Sequence, residues 1–351
     1  MAVSAGPRTL HVGTYARAGG EGLYALRRAD NGLWELGEAY AGARNASFGV
    51  YSKRFDLHFL VDEQAAGAIG IFRHDGSGWR QLAHIPSYGA APCYLALDAA
   101  ETCLAAANYE SGSIALFRLD TDTGIPNDPP VIRAHDGRGP VPDRQEKSHA
   151  HCVRFSPDQQ WLYHVDLGTD QIRAYAFDSA HDILGEGTTA WSAPPGSGPR
   201  HLLFHPHRPL ALLVSELAST LTVLQVADGN LATRQVVSTL PQGYGGESLG
   251  GHLAVNQAGN RVYVTNRGHD SLAVFALDAA GLTLLQHVPS GGASPRFFRL
   301  IEPERLLVLA NEEGGTLSFF GVAEDGTLAP RNEGVSVPGP AFVIVEQRES
   351  A

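Results

Sequence analysis

Residues 152–178, CVRFSPDQQWLYHVDLGTDQIRAYAFD, decide the fold of this chain. The run reads as a short apolar strand, a polar turn at Ser156–Gln160, a second apolar strand from Trp161, a glycine-containing turn and an alternating third strand. Downstream the same pattern recurs as HLLFHPHRPLALLVSE from His201, HLAVNQAGNRVYVTNR from His252 and FFRLIEPERLLVLANE from Phe297. Upstream it recurs as FGVYSKRFDLHFLVDE from Phe48 and YLALDAAETCLAAANY from Tyr94. All six copies align over their first two strands without a gap, and self-similarity of this period is the signature of a repeat architecture.

The seventh copy is split. FVIVE from Phe342 matches only a first strand and LHVGTY from Leu10 only a second, so the two ends are expected to complete one shared unit. Phe48 to Phe342 spans 294 residues, six repeats averaging 49, enough for four short strands each. The expectation is a single domain over residues 1–351: an all-β, seven-bladed β-propeller with four antiparallel strands per blade, closed by a blade that the N- and C-terminal segments share. A solenoid or a two-sheet sandwich leaves the half repeat at each end unexplained. Two spacers exceed the average, around Pro126 to Lys147 and around Gln242 to Gly251, and both are expected as loops overhanging one face.

Composition agrees. Forty glycines, 21 prolines and 18% charged residues describe a turn-rich chain poor in surface helices. A formal charge of −11 argues against nucleic acid or an anionic membrane as partner, since either needs a basic face. Cys93, Cys103 and Cys152 have no metal-ligand spacing and read as reduced structural thiols. Met1 to Leu10 lacks the basic-then-apolar pattern of a leader, and no stretch is long enough for a membrane-spanning helix, so a cytoplasmic location is expected.

In an up-and-down blade, the residue entering the first strand and the residue leaving the second lie on the same side. The alignment therefore gives two columns expected at one mouth of the channel. The first holds Ser47, Cys93, His151, Arg200, Gly251, Arg296 and Ala341, and the second Tyr15, Glu63, Tyr109, Leu167, Glu216, Arg267 and Glu312. A repeat by itself predicts similar residues down each column. His151, Arg200, Glu216, Arg267 and Arg296 break that uniformity in four successive blades. Permanently charged planar forks beside a His and a Glu point to an anion pocket equipped for proton transfer. The bland reading pairs each Arg with a nearby carboxylate. His149 precedes His151 in SHAH, and alternate positions on an extended chain point the same way, yet no third ligand follows from the spacing and no metal or other cofactor is expected. There is no GxSxG elbow, P-loop or dinucleotide fingerprint in a strand–helix context.

RQEKSHAHCVRFSPD from Arg144, GPRHLLFHP from Gly198 with SEL after it, YVTNRGHDSLAVF from Tyr263 and SPRFF from Ser294, in this order and spacing, resemble the lactonase family of seven-bladed propellers. That family includes propeller-type 6-phosphogluconolactonases and a fungal carboxymuconate lactonizing enzyme. The resemblance implies a catalytic set at His151, Arg200, Glu216 and Arg267, residues the columns had selected; Arg296, from the same columns, and His149 and His252 are expected as substrate contacts. It implies a carboxylic ester hydrolase whose partner is a small anionic sugar lactone, foremost 6-phospho-D-glucono-1,5-lactone opened to 6-phosphogluconate in the pentose phosphate pathway. Alternatives are an unphosphorylated sugar lactone, cycloisomerisation of a carboxy-cis,cis-muconate, or, in another class, a non-catalytic protein-binding propeller. The family tends to carry an acidic residue where this chain has Gly251 and His252, which bears on substrate identity.

Overall fold

The computed structural model describes residues 9–178 and 183–346. The expectation about a leader falls, except for Thr9 and Leu10, outside them. Among the described residues no helix is long and apolar enough to cross a membrane.

Seven antiparallel sheets of four strands each form, as the repeat predicts. They pack as two compact units. Residues 48–239 make one and the chain up to 47 and from 240 onward makes the other.

The unit of residues 48–239 holds four sheets. Blade 2 runs Gly49–Ser52, Leu57–Asp62, Ala68–His74 and Trp79–Pro86, and blade 3 runs Pro92–Leu97, Cys103–Asn108, Ser113–Arg118 and Val131–Ala134. Blade 4 runs Ala150–Phe155, Trp161–Asp166, Gln171–Asp178 and Ile183–Ser192, and blade 5 runs Pro199–Phe204, Leu210–Ser215, Thr220–Ala227 and Asn230–Ser238. Second strands such as Cys103–Asn108 and Leu210–Ser215 are buried along their whole length, whereas the outer strand Trp79–Pro86 is mostly exposed or half-buried. This is why the inner strands read as continuous apolar runs: they are covered on both faces. Tyr163, Tyr175, Leu202 and Leu213 belong to one continuous core shared by blades 3, 4 and 5. The long spacer after Pro126 is not all loop, because Val131–Ala134 supplies the fourth strand of blade 3.

The other unit holds three sheets. Blade 6 runs Leu249–Val255, Arg261–Arg267, Ser271–Leu277 and Leu282–Pro289, and blade 7 runs Pro295–Ile301, Leu306–Asn311, Thr316–Val322 and Leu328–Ser336. Blade 1 is the shared one. Pro340–Val345 pairs with Thr9–Thr14 in the register Leu10↔Val345, Val12↔Val343 and Gly13↔Phe342, and Leu23–Arg28 and Trp34–Tyr40 complete it. Tyr263, Phe298 and Phe320 form the core between blades 6 and 7.

One device recurs in the turn that leaves the first strand. Asp98 accepts the N–H groups of Thr102 and Cys103 at 2.7 Å each, Ser156 that of Trp161 at 3.0 Å, and Asn256 those of Asn260 and Arg261 at 2.9 Å each. A short polar side chain at that position satisfies turn donors that no strand reaches, which explains the polar interruption in these three copies.

Candidate active site

The first-column residues share a backbone feature that the sequence does not display. In six of the seven blades the first strand carries one extra residue against the second, a β-bulge, at Cys93, His151, Arg200, Gly251–His252, Arg296 and Ala341. A bulge breaks the strict alternation of strand side chains and re-aims the extra one. Beside five of these bulges, the second-column residue is tied to the chain two residues before the bulge. Tyr109 N–H donates to the Ala91 carbonyl, Leu167 to His149, Glu216 to Gly198, Glu312 to Ser294 and Tyr15 to Gly339, at 2.6–2.9 Å. Within each of these blades the two columns are thus neighbours, as the alignment expects.

Three of the expected residues come together in the unit of residues 48–239. His151, Arg200 and Glu216 are 6%, 2% and 3% exposed. Arg200 Nε lies 3.3 Å from Glu216 Oε2, and Arg200 Nη1 donates to the His151 ring, contacting Nε2 and lying 3.1 Å from Nδ1. A guanidinium only donates, so the ring nitrogen it meets offers its lone pair. Cys93 Sγ is 3.8 Å from His151 Nδ1 and donates to the carbonyls of Ala150 and His151 at 3.5 Å. His151 Nε2 and Glu216 Oε2 are 3.7 Å apart, too far for a hydrogen bond, so Glu216 orients the arginine rather than the imidazole.

Two residues outside the expected set complete this cluster. Arg144 pairs with Glu216 and lies near the Tyr109 hydroxyl. Burial disfavours its charge, but Glu216 outweighs that and holds the guanidinium above its ordinary range. Burial pushes the Tyr109 hydroxyl up as well, against the pull of Arg144. The Tyr109 ring stacks on His149 at 4.4 Å and meets His151 edge-on at 5.4 Å. His149 thus shares a neighbour with His151. Its ring nitrogens face the Tyr109 carbonyl and the Glu146 carboxylate, each at 3.1 Å.

Arg267, Arg296 and His252 belong to the other unit. Arg267 is half-buried and donates through Nη2 to the Gly250 carbonyl at 3.0 Å. Arg296 donates to Glu312 Oε2 at 3.3 Å, its guanidinium 5.0 Å from the centre of the Tyr15 ring. Arg17 pairs with the same carboxylate and lies 4.2 Å from the same ring. The His252 ring lies 4.3 Å from Phe297 and 5.0 Å from Phe298. A bulge arginine paired with the carboxylate that ends the neighbouring strand therefore occurs twice, at Arg200–Glu216 and at Arg296–Glu312.

Tyr109 is a second-column position whose residue type does not stand out from a repeat, and Arg144 lies on a spacer that the repeat does not cover. The signal for Arg144 was the spacer itself, excess chain beside the most unusual blade.

Among known proteins, residues 9–345 match the model of a family described as lactonase, 7-bladed beta-propeller. A 6-phosphogluconolactonase of Bacillus subtilis is 33% identical over 343 residues, 95% of this chain and 97% of that protein. The crystal structure of a periplasmic gluconolactonase of Pseudomonas aeruginosa is similar with a TM-score of 0.86 and 27% identity, covering 96% of this chain and 98% of that one. A protein from Lactobacillus plantarum is similar with the same TM-score, 0.86, at 28% identity over 96% and 98% of the two chains.

Proposed function

We propose that this chain, which belongs to the lactonase family of seven-bladed β-propellers and is a lactone hydrolase, acts on 6-phospho-D-glucono-1,5-lactone and opens it to 6-phosphogluconate. The observation that carries the chemistry is the buried contact of Arg200 with the His151 ring, which sets a permanent cation beside a nitrogen that offers a lone pair. The identity to the Bacillus subtilis protein supports the phosphorylated substrate.

In this reading Arg200 turns from the His151 ring to the lactone carbonyl when substrate binds, which frees the imidazole lone pair, and it stabilises the oxyanion that forms when water adds. His151 takes the proton of the attacking water and returns it to the ring oxygen as the C–O bond breaks, so one water is consumed and a hydroxy acid released. A histidine suits both transfers near neutral pH. Glu216, ion-paired to both Arg200 and Arg144, keeps the guanidinium pointed rather than acting as the base. Substrate contact by Arg267, Arg296, His149 and His252 is a separate part of the reading, and so are action in the pentose phosphate pathway and a cytoplasmic location.

Hydrolysis of 6-phosphogluconolactone, followed against its spontaneous opening, is expected to be accelerated strongly. No acceleration overturns the phosphorylated substrate. The likeness to a periplasmic gluconolactonase favours a second reading, an unphosphorylated sugar lactone in another compartment, and glucono-1,5-lactone run in parallel distinguishes the two.

A further inference from the structure

We propose that Arg144, with the Tyr109 hydroxyl beside it, is the specificity-determining contact that recognises the phosphate of the substrate. The proposal rests on the phosphorylated-lactone reading above and assigns that phosphate a place. It starts from a gradient of exposure within the cluster. The side chains of Arg200 and Glu216 are 3% and 4% exposed, whereas that of Arg144 is 32% exposed. An anion arriving from solvent therefore meets Arg144 first.

Arg144 is held in place by its backbone. Its neighbour Gln145 is fully buried and donates through Nε2 to the Leu167 carbonyl at 2.8 Å, while its N–H donates to the Val141 carbonyl at 2.7 Å and its own carbonyl accepts Gly139 N–H at 2.9 Å. On the far side, Asp166 accepts Ser148 Oγ at 2.6 Å and His149 N–H at 2.8 Å. A loop pinned at both ends delivers its one guanidinium to a defined position, which is the preorganisation that recognition needs.

The chemistry fits a phosphate. Arg144 meets Glu216 through Nη2, and five N–H donors in a planar fork leave others to bind a second anion. The hydroxyl of Tyr109, near Arg144, adds a neutral O–H donor for a phosphoryl oxygen. The Tyr109 ring stands edge-on to His151, and Arg144 shares Glu216 with Arg200, which meets the same imidazole, so the charge they recognise is close to the group assigned the proton transfer.

If Arg144 were only a counter-ion for Glu216, its loss would lower turnover of every substrate alike. The test is therefore a ratio. In the Arg144→Met protein, kcat/KM for 6-phosphogluconolactone relative to glucono-1,5-lactone is expected to fall at least about tenfold, carried mainly by KM. Arg144→Lys, which keeps the charge and loses the fork, is expected to fall in between, and Tyr109→Phe to show a smaller loss of the same sign. A ratio within twofold of the unsubstituted protein in Arg144→Met overturns the inference and leaves the proposed function standing. Calorimetric binding of 6-phosphogluconate and of gluconate gives a readout independent of turnover. If the unsubstituted protein fails to hydrolyse the phosphorylated lactone yet binds 6-phosphogluconate more tightly than gluconate, and Arg144→Met loses that preference, the function falls and the inference stands. If there is no preference to lose, the inference falls.

Discussion

Arg200 Nε stands 3.3 Å from Glu216 Oε2 with both side chains withdrawn from solvent, and the same pairing, Arg296 with Glu312 at 3.3 Å, recurs in blade 7 with more exposed partners. Removing one member of a buried pair strands the other's charge. Glu216→Gln is expected to lower unfolding free energy by about 3 kcal/mol in urea titration and to reduce kcat with it. Glu312→Gln, between more exposed guanidiniums, is expected to cost less.

His151 receives its hydrogen bond from Arg200 at the nitrogen a base would use. His151→Ala is expected to lower kcat for lactone opening by at least about a hundredfold, the usual scale of general acid–base catalysis, with the fold retained by circular dichroism. Full activity in that variant removes His151 as the base.

Arg267 and Arg296 each have a local partner, so their place in substrate binding needs its own measurement. Arg267→Met and Arg296→Met are expected to raise KM about tenfold, as loss of one charge-assisted contact does, with kcat changed less. An unchanged kcat/KM in both takes them out of the binding set.

Gly168 sets the loop that carries Arg144. A Cβ there would lie 1.8 Å from the Lys147 carbonyl oxygen, which the loop can relieve only by moving. Gly168→Ala is expected to cost about 1–3 kcal/mol of stability and to lower kcat/KM, whereas Gly78→Ala, with nothing within 4 Å, is expected to change neither. Thermal unfolding and the lactone assay check both.

His164 is fully buried in blade 4, and its ring nitrogens have no hydrogen-bond partner among the described residues. Burial lowers its pKa from 6.5 to about 4, with His135 and Arg173 pushing the same way and Asp166 opposing. Between those two values the unfolded chain takes up a proton that the folded one refuses, so stability falls as pH drops from 6.5 to about 4, and below that this contribution levels off. The loss from this residue is on the order of 3 kcal/mol, and His58, also lowered by burial to about 4, adds to it. Urea titrations across this range are expected to show a shallower pH slope in His164→Leu, whatever its absolute stability. An unchanged slope contradicts the assignment.

The halves of blade 1 were legible at the two ends of the chain because strand pairing follows local pattern. FVIVE and LHVGTY are each half of a motif repeated six times elsewhere, and their register, Val12 on Val343, is the one the motif demands. His151, Arg200 and Glu216 were legible for a related reason: a gap-free alignment assigns equal places to equal positions, so residues out of keeping with their column stand out. The bulge that re-aims His151 and Arg200 left no such mark, since it changes pairing without changing composition. Arg144 left none either. It reaches Glu216 across 72 residues of sequence, from a spacer that the repeat does not cover.

The sequence by itself determined the repeat, the sharing of one blade by both ends and which positions end the inner strands, because all of these depend on side-chain periodicity over a few residues at a time. Only the tertiary structure decided which charges meet. Glu216 takes Arg200 from its own blade and Arg144 from a loop, because an ion pair forms where packing brings two groups within about 4 Å in a site of low dielectric, and loop path and bulge set that distance, not residue spacing.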